Sequence, residues 1–173
     1  MHPEWFDRPG GEPVELCAGD PLWPEAAAEW AVRIRSAILP TLATVEHVGS
    51  TAVPGLVAKP VLDLQVAVPD ITHEAAYRPG LESLGLVLRQ RASEHRFFRP
   101  PAGEPRTVHV HVCGSGSAWE RDHLRFRDRL RADPALAARY AALKRSLAGQ
   151  VGHDRFAYND GKSQFIADAI AQR

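Results

Sequence analysis

Thr44-Val45-Glu46-His47-Val48-Gly49-Ser50-Thr51-Ala52-Val53-Pro54-Gly55, followed after five intervening residues by Val61-Leu62-Asp63-Leu64-Gln65-Val66-Ala67-Val68, is the stretch on which the fold turns. Its first part predicts a strand over Thr44–Val48, and the Gly49-to-Gly55 run predicts a turn with little side-chain bulk. Residues 61–68 are apolar on both faces apart from Asp63 and Gln65, so they read as a central strand, and the period of two puts those two residues on one face. Pro69 ends it.

Outward from this pair, Pro24 suits the first turn of a helix running to about residue 38, with Ala27, Trp30, Ile34 and Ile38 on one side and Pro40 as its stop. The Pro- and Gly-containing opening up to Trp23 is expected to wrap the surface. Residues 72–84 read as helical around Pro79-Gly80, with Gly85 as cap. Strands are expected at 86–89, 95–99 and 107–112, the last with His109 and His111 on one face. Ser117-Ala118-Trp119-Glu120 is a capping box that opens a helix to about residue 132, Asp133-Pro134 starts another to Gly149, and a last one spans about 154–172. No repeat or linker divides residues 1–173, so the reading is a single domain of α+β or mixed α/β class with helices packed on one sheet and the C-terminal ones covering it.

Composition removes several functional classes. The 173 residues include 21 Lys+Arg and 21 Asp+Glu, a balance that argues against phosphate-driven nucleic-acid binding. Two distant cysteines make neither a disulfide framework nor a zinc spacing. The N-terminus is no signal sequence, and no apolar run approaches roughly 18 residues, so a cytoplasmic protein without membrane contact is expected. Locally the charge is skewed: residues 119–173 carry seven acids and eleven bases, a positive face for an anionic ligand or merely a solvated helix surface. Only three of the bases are lysines, Lys59, Lys144 and Lys162. Trp5, Trp23, Trp30 and Trp119 are too scattered to suggest a stacking platform, and no nucleophile elbow is present.

A Gly-Ser turn leaving a strand lets N–H groups and a hydroxyl approach phosphate oxygens, because glycine has no side chain in the way. Gly49, Ser50 and Thr51 form such a corner, and Asp63 on the adjacent strand could hold a divalent cation against the phosphate; a tight turn beside a hydrogen-bonded aspartate is the alternative. His109 and His111 could ligate one transition metal with Asp63 or Glu46, or simply meet phosphate at the pocket edge. His47 alternates away from Glu46, so Glu46 is the one expected in the Asp63 pocket. Lys59 could pair with phosphate or with Asp63. Lys162, one turn after Tyr158 and beside Phe165, Ile166 and Ala169, should lean inward and needs an anion, either a ligand or Asp63 or Glu46. Of Arg96 and Arg99, on opposite strand faces, one is expected to reach the pocket.

The run from Val45 to Val68, with Trp23-Pro24 upstream and Phe126-Arg127-Asp128, Tyr140, Lys144, Tyr158 and Lys162 downstream, closely resembles the GrpB family. That resemblance implies a nucleotidyltransferase-like mixed sheet, in a family that also occurs fused to some bacterial dephospho-CoA kinases. It matches Gly49 and Ser50 to the Gly-Ser motif of nucleotidyltransferases and Asp63 to the first acid of their acid pair; Gln65 stands where the second acid would be. The expected ligand is a nucleotide or phosphorylated small molecule, held by Gly49, Ser50, Thr51, Lys59, Tyr158 and Lys162. Catalysis would fall to Asp63, His109 and His111, with Mg²⁺ or Mn²⁺, or alternatively Zn²⁺ or Ni²⁺, at Asp63, Glu46, His109 and His111. Two other readings stay open: a binding module without turnover, and a transition-metal hydrolase centred on His109 and His111.

Overall fold

A computed structural model describes residues 3–6 and 13–171. It has the α+β architecture expected from the order of elements, a six-stranded mixed sheet with helices on both faces. The elements are β1 Glu4–Trp5, α1 Trp23–Ala37, β2 Thr44–Val48, β3 Leu62–Val68, α2 Arg78–Ser83, β4 Val87–Arg91, β5 Arg96–Arg99, β6 Val108–Gly114, α3 Ala118–Ala132, α4 Pro134–Val151 and α5 Arg155–Ala171. Strand order is β1-β4-β5-β6-β3-β2, with β3 and β6 parallel and every other pair antiparallel.

The alternation of β3 and β6 assigns the two faces. Leu62, Leu64, Val66 and Val68 share one face with Val108, Val110 and Val112, where they pack with Phe98, Tyr77, Leu81, the α1 residues Ala27 and Ile34, and Ile38 just past the end of α1. This is the main core, and burying each large aliphatic side chain contributes about 1.5–3 kcal/mol. The opposite face carries Asp63 and Gln65 beside His109 and His111, because the parallel register pairs Asp63 with His109 and Gln65 with His111. Over it lie the last three helices, whose own core joins Leu130, Leu136, Tyr140, Ala141 and Ala169 to Val53, Leu56 and Val57 of the β2–β3 connection. Ser117 caps α3 by accepting from the Glu120 N–H, and Asp133 caps α4 by accepting from the Leu136 N–H, as their sequence positions require.

Two segments differ from the sequence reading. The opening does not only wrap the surface: Glu4 and Trp5 pair with Arg91 and Gln90 as an edge strand, fastened by an Arg91–Glu4 ion pair of 2.6 Å. Residues 72–84 form a 3₁₀ turn, Glu74–Ala76, and the short α2 rather than one helix, because Pro79 cannot donate within a helix but fits the first turn, where it follows Arg78 at the start of α2.

Candidate functional site

The connection from β2 to β3 brings the Gly-Ser corner against Asp63. Val48 is the register partner of Asp63, so the next residue, Gly49, lies across the carboxylate. A β-carbon at Gly49 would sit 2.5 Å from Asp63 Oδ2, and its φ of +71° is one that other residues rarely adopt. Ser50–Ala52 then makes a 3₁₀ turn whose first N–H groups have no partner inside the turn.

Asp63 Oδ1 lies 3.2 Å from His109 Nδ1 and 3.4 Å from His111 Nε2. Burial works to raise the Asp63 pKa, but the hydrogen bonds and charge of the two imidazoles outweigh it and hold the carboxyl well below the usual carboxylate range. An ionised Asp63 accepts from both rings, so His109 gives its Nδ1–H and His111 its Nε2–H. His111 Nδ1 is then left to accept from His95 Nε2, 2.9 Å away. The His95 ring stacks on Trp119 at 4.7 Å, and Trp119 on His123 at 3.6 Å. Burial pushes the pKa of His95 down to about 2, so this ring is neutral at pH 7, and burial also lowers that of His109 against the opposing pull of Asp63. The Nε2 of His109 is buried and has no hydrogen-bond partner among the described residues.

Lysines form the facing wall. Lys144, only 2% exposed, donates to Ser50 Oγ at 2.9 Å and to the Val57 carbonyl. Lys162 sits 4.3 Å from the centre of the Tyr158 ring, and Lys59 5.5 Å from the same ring. Burial, then repulsion from Lys162 and other cations, brings Lys144 down to about 7; burial and Lys59 bring Lys162 to about 7. All three lysines of the chain therefore face one cavity of about 450 Å³, which Gly49, Ser50, Thr51, Asp63, His109, His111 and Tyr158 also line.

The remaining sequence expectations divide. Arg99 lines the cavity, while Arg96 turns to the other face and donates to Glu74 at 2.6 Å. Glu46 shares the strand face of Asp63, yet its carboxylate is taken by Arg127 of α3 at 2.8 Å, so it stands outside the Asp63–His109–His111 group. Lys162 forms no ion pair with Asp63 or Glu46 among the described residues; its ammonium lies over the Tyr158 ring instead. Gln65 is 1% exposed and its Nε2 reaches the Glu120 carbonyl at 3.4 Å, so this amide fastens α3 to the sheet. Sequence reasoning missed Lys144 and His95 as site residues, and folding gathers two of the scattered tryptophans: Trp119 onto His95, and Trp5 onto the cavity wall.

A family model described as GrpB protein matches residues 13–172. The chain belongs to the GrpB family. This GrpB chain is 43% identical to a UPF0157 protein of Streptomyces coelicolor, over 92% of its own length and 89% of the relative's. It is 30% identical to a dephospho-CoA kinase of Mycolicibacterium paratuberculosis, matching 91% of itself but 45% of that protein. Among solved structures, the crystal structure of GrpB from Enterococcus faecalis superposes with a TM-score of 0.77 at 30% identity, covering 90% of this chain and 97% of that one. Among the described residues, no helix is long and apolar enough to cross a membrane.

The donor set suits a first-row transition ion. One carboxylate and two imidazoles offer ligand atoms within 4.8 Å of one another, whereas Mg²⁺ prefers several hard oxygens. Asp63, His109 and His111 are the residues that would hold such an ion.

Proposed function

We propose that this GrpB protein binds a nucleotide or other phosphorylated small molecule between the lysine wall and the Asp63 corner, and acts on it as a nucleotidyltransferase-like enzyme. The observation that carries this reading is the convergence of Lys59, Lys144 and Lys162 with Ser50 on the cavity that holds Asp63. Phosphate oxygens would accept from Ser50, the corner N–H groups and the ammonium groups, which strengthens every one of these contacts through charge. Asp63, His109 and His111 would hold a Mn²⁺, Zn²⁺ or Ni²⁺ ion in preference to a pair of Mg²⁺ ions, since Gln65 replaces the second acid. Such an ion, when bound, polarises a phosphoryl oxygen.

Calorimetric titration with ATP, CTP, GTP and UTP, each with Mg²⁺ or Mn²⁺, tests the reading, with binding of at least one expected. Heat from none of them refutes it. Asp63→Asn should weaken Mn²⁺ or Zn²⁺ binding tenfold or more in equilibrium dialysis. The burial of Gln65 against α3 favours a second reading, a binding module that has lost transfer chemistry. The two readings separate on pyrophosphate release: an enzyme produces it in the presence of its acceptor, and a binding module does not. The likeness to dephospho-CoA kinases adds coenzyme A and its dephospho form to the ligands worth titrating.

A further inference from the structure

Helix α5 runs along the cavity and presents Phe156, Asn159, Lys162 and Ile166 to it. Phe156 and Lys162 are six residues apart, which is about 9 Å along the helix axis. At the Phe156 end the character of the wall changes. Phe156 and Trp5 are 55% and 42% exposed, and both line the cavity; the exposed Leu22, Val32, Leu39 and Leu42 do not. Large aromatic rings left this open at the mouth of a cationic cavity retain the free energy of being covered. The two rings meet edge to face, with centroids 5.9 Å apart and planes at 78°, so they are not stacked on each other and a flat ligand can lie on the face of one ring with its edge against the second. Gln90, the register partner of Trp5, and Asn159, one turn from Phe156, also line the cavity and can both donate and accept hydrogen bonds.

We infer that Trp5 and Phe156 form a nucleobase platform and that the ligand class is a nucleoside polyphosphate, its base on the aromatic pair and its outer phosphates at Ser50, Lys144 and Lys162. This rests on the phosphate assignment proposed above and narrows it. The spacing is the physical reason: the axial distance from Phe156 to Lys162 is comparable to the span of a nucleoside 5′-polyphosphate from base to outer phosphates, whereas inorganic phosphate or a small sugar phosphate cannot touch both ends. A cavity of about 450 Å³ lies within the range that encloses small-molecule ligands. Stacking tolerates any base, and the two amides are placed to discriminate among them.

The test compares tripolyphosphate with ATP, CTP, GTP and UTP by calorimetry on the wild-type chain, on the Trp5→Ala/Phe156→Ala double variant and on Phe156→Leu. The expected result is that wild-type protein binds at least one nucleotide tenfold or more tightly than tripolyphosphate. The double variant should lose that advantage while its tripolyphosphate affinity stays within twofold, and Phe156→Leu should lose part of it. Unchanged tripolyphosphate binding also reports that the variants are folded. Tripolyphosphate binding with no advantage for any nucleotide, or an advantage untouched in both variants, overturns the platform and leaves the phosphate reading standing. Absence of binding by tripolyphosphate and nucleotides alike overturns both.

Discussion

Replacing Lys144 by methionine isolates the cost of carrying an amine in the interior. Lys144 is 2% exposed and its pKa falls from 10.5 to about 7, chiefly through burial. The unfolded chain therefore holds a proton on this amine between pH 7 and 10.5 that the folded chain largely releases, so Lys144 makes folding stability rise with pH across that window. From pH 7 to pH 9 the linkage relation gives a gain of about 2 kcal/mol from this one group. At pH 7 itself the penalty is on the order of 4 kcal/mol. Opposing it, methionine would leave Ser50 Oγ and the Val57 carbonyl without their donor, at about 1–3 kcal/mol for each buried group left unsatisfied. The two effects nearly cancel, so the midpoint at pH 7 is a poor test and the pH slope is the decisive one.

Guanidinium melts followed by circular dichroism at pH 7 and pH 9 read that slope. The wild-type chain should gain about 2 kcal/mol more than Lys144→Met over this interval, since groups unaffected by the substitution cancel in the difference. The same variant should bind phosphorylated ligands more weakly at pH 7. Equal slopes in the two proteins would refute the claim that burial depresses the Lys144 ammonium, and would return it to the status of an ordinary solvated lysine.

Gly49→Ala puts a non-glycine residue at φ +71°, costing about 1–2 kcal/mol, and drives its β-carbon to 2.5 Å from Asp63 Oδ2. Reduced denaturant stability together with weakened metal binding in dialysis is the expected pair of results. Glu74 is held near 2, first by its hydrogen bond from Arg91 and then by Arg96. A depressed carboxylate stabilises the fold fully above its unfolded value near 4.5, and this is lost as pH falls toward 2. The wild-type chain should therefore lose about 2 kcal/mol more than Glu74→Gln between pH 6 and pH 3 in urea melts. Chelator should change nucleotide affinity by less than tenfold in calorimetry, while raised ionic strength weakens it.

The strands that build the site were legible because their pattern is local. Alternation alone sets Asp63 and Gln65, and likewise His109 and His111, on common faces, and the parallel register then joins the two pairs. Edge strand β1 was not legible, since two residues with no alternation give no signal until Arg91 supplies the partner for Glu4. Glu46 shows the limit of face assignment: periodicity gives the correct side of the sheet, but Arg127, 81 residues later, captures the carboxylate. Lys144 lies one turn from Tyr140 on the face that packs inward, where a helical wheel suggests only core. The signal that could have found it was compositional, for the chain uses lysine three times and all three line one cavity.

That concentration of lysine bears on how the pocket neutralises an anion. A site walled by several carboxylates is negative until cations enter, so phosphate binding there depends on metal. In this chain Asp63 is the one carboxylate among the described residues lining the cavity, and Lys59, Lys144 and Lys162 oppose it. The balance is positive without any ion, and more so once a phosphate draws protons back onto Lys144 and Lys162, whose pKa values near 7 leave them half charged in neutral solution. On the proposed function, anion binding and metal binding would be separable properties of two walls: the lysines and Ser50 would meet the ligand's charge, while Asp63 with its two imidazoles would hold an ion. On that reading Gln65, standing where the resemblance places a second acid, is no simple loss, because the lysines would supply neutralisation that a second cation would otherwise provide.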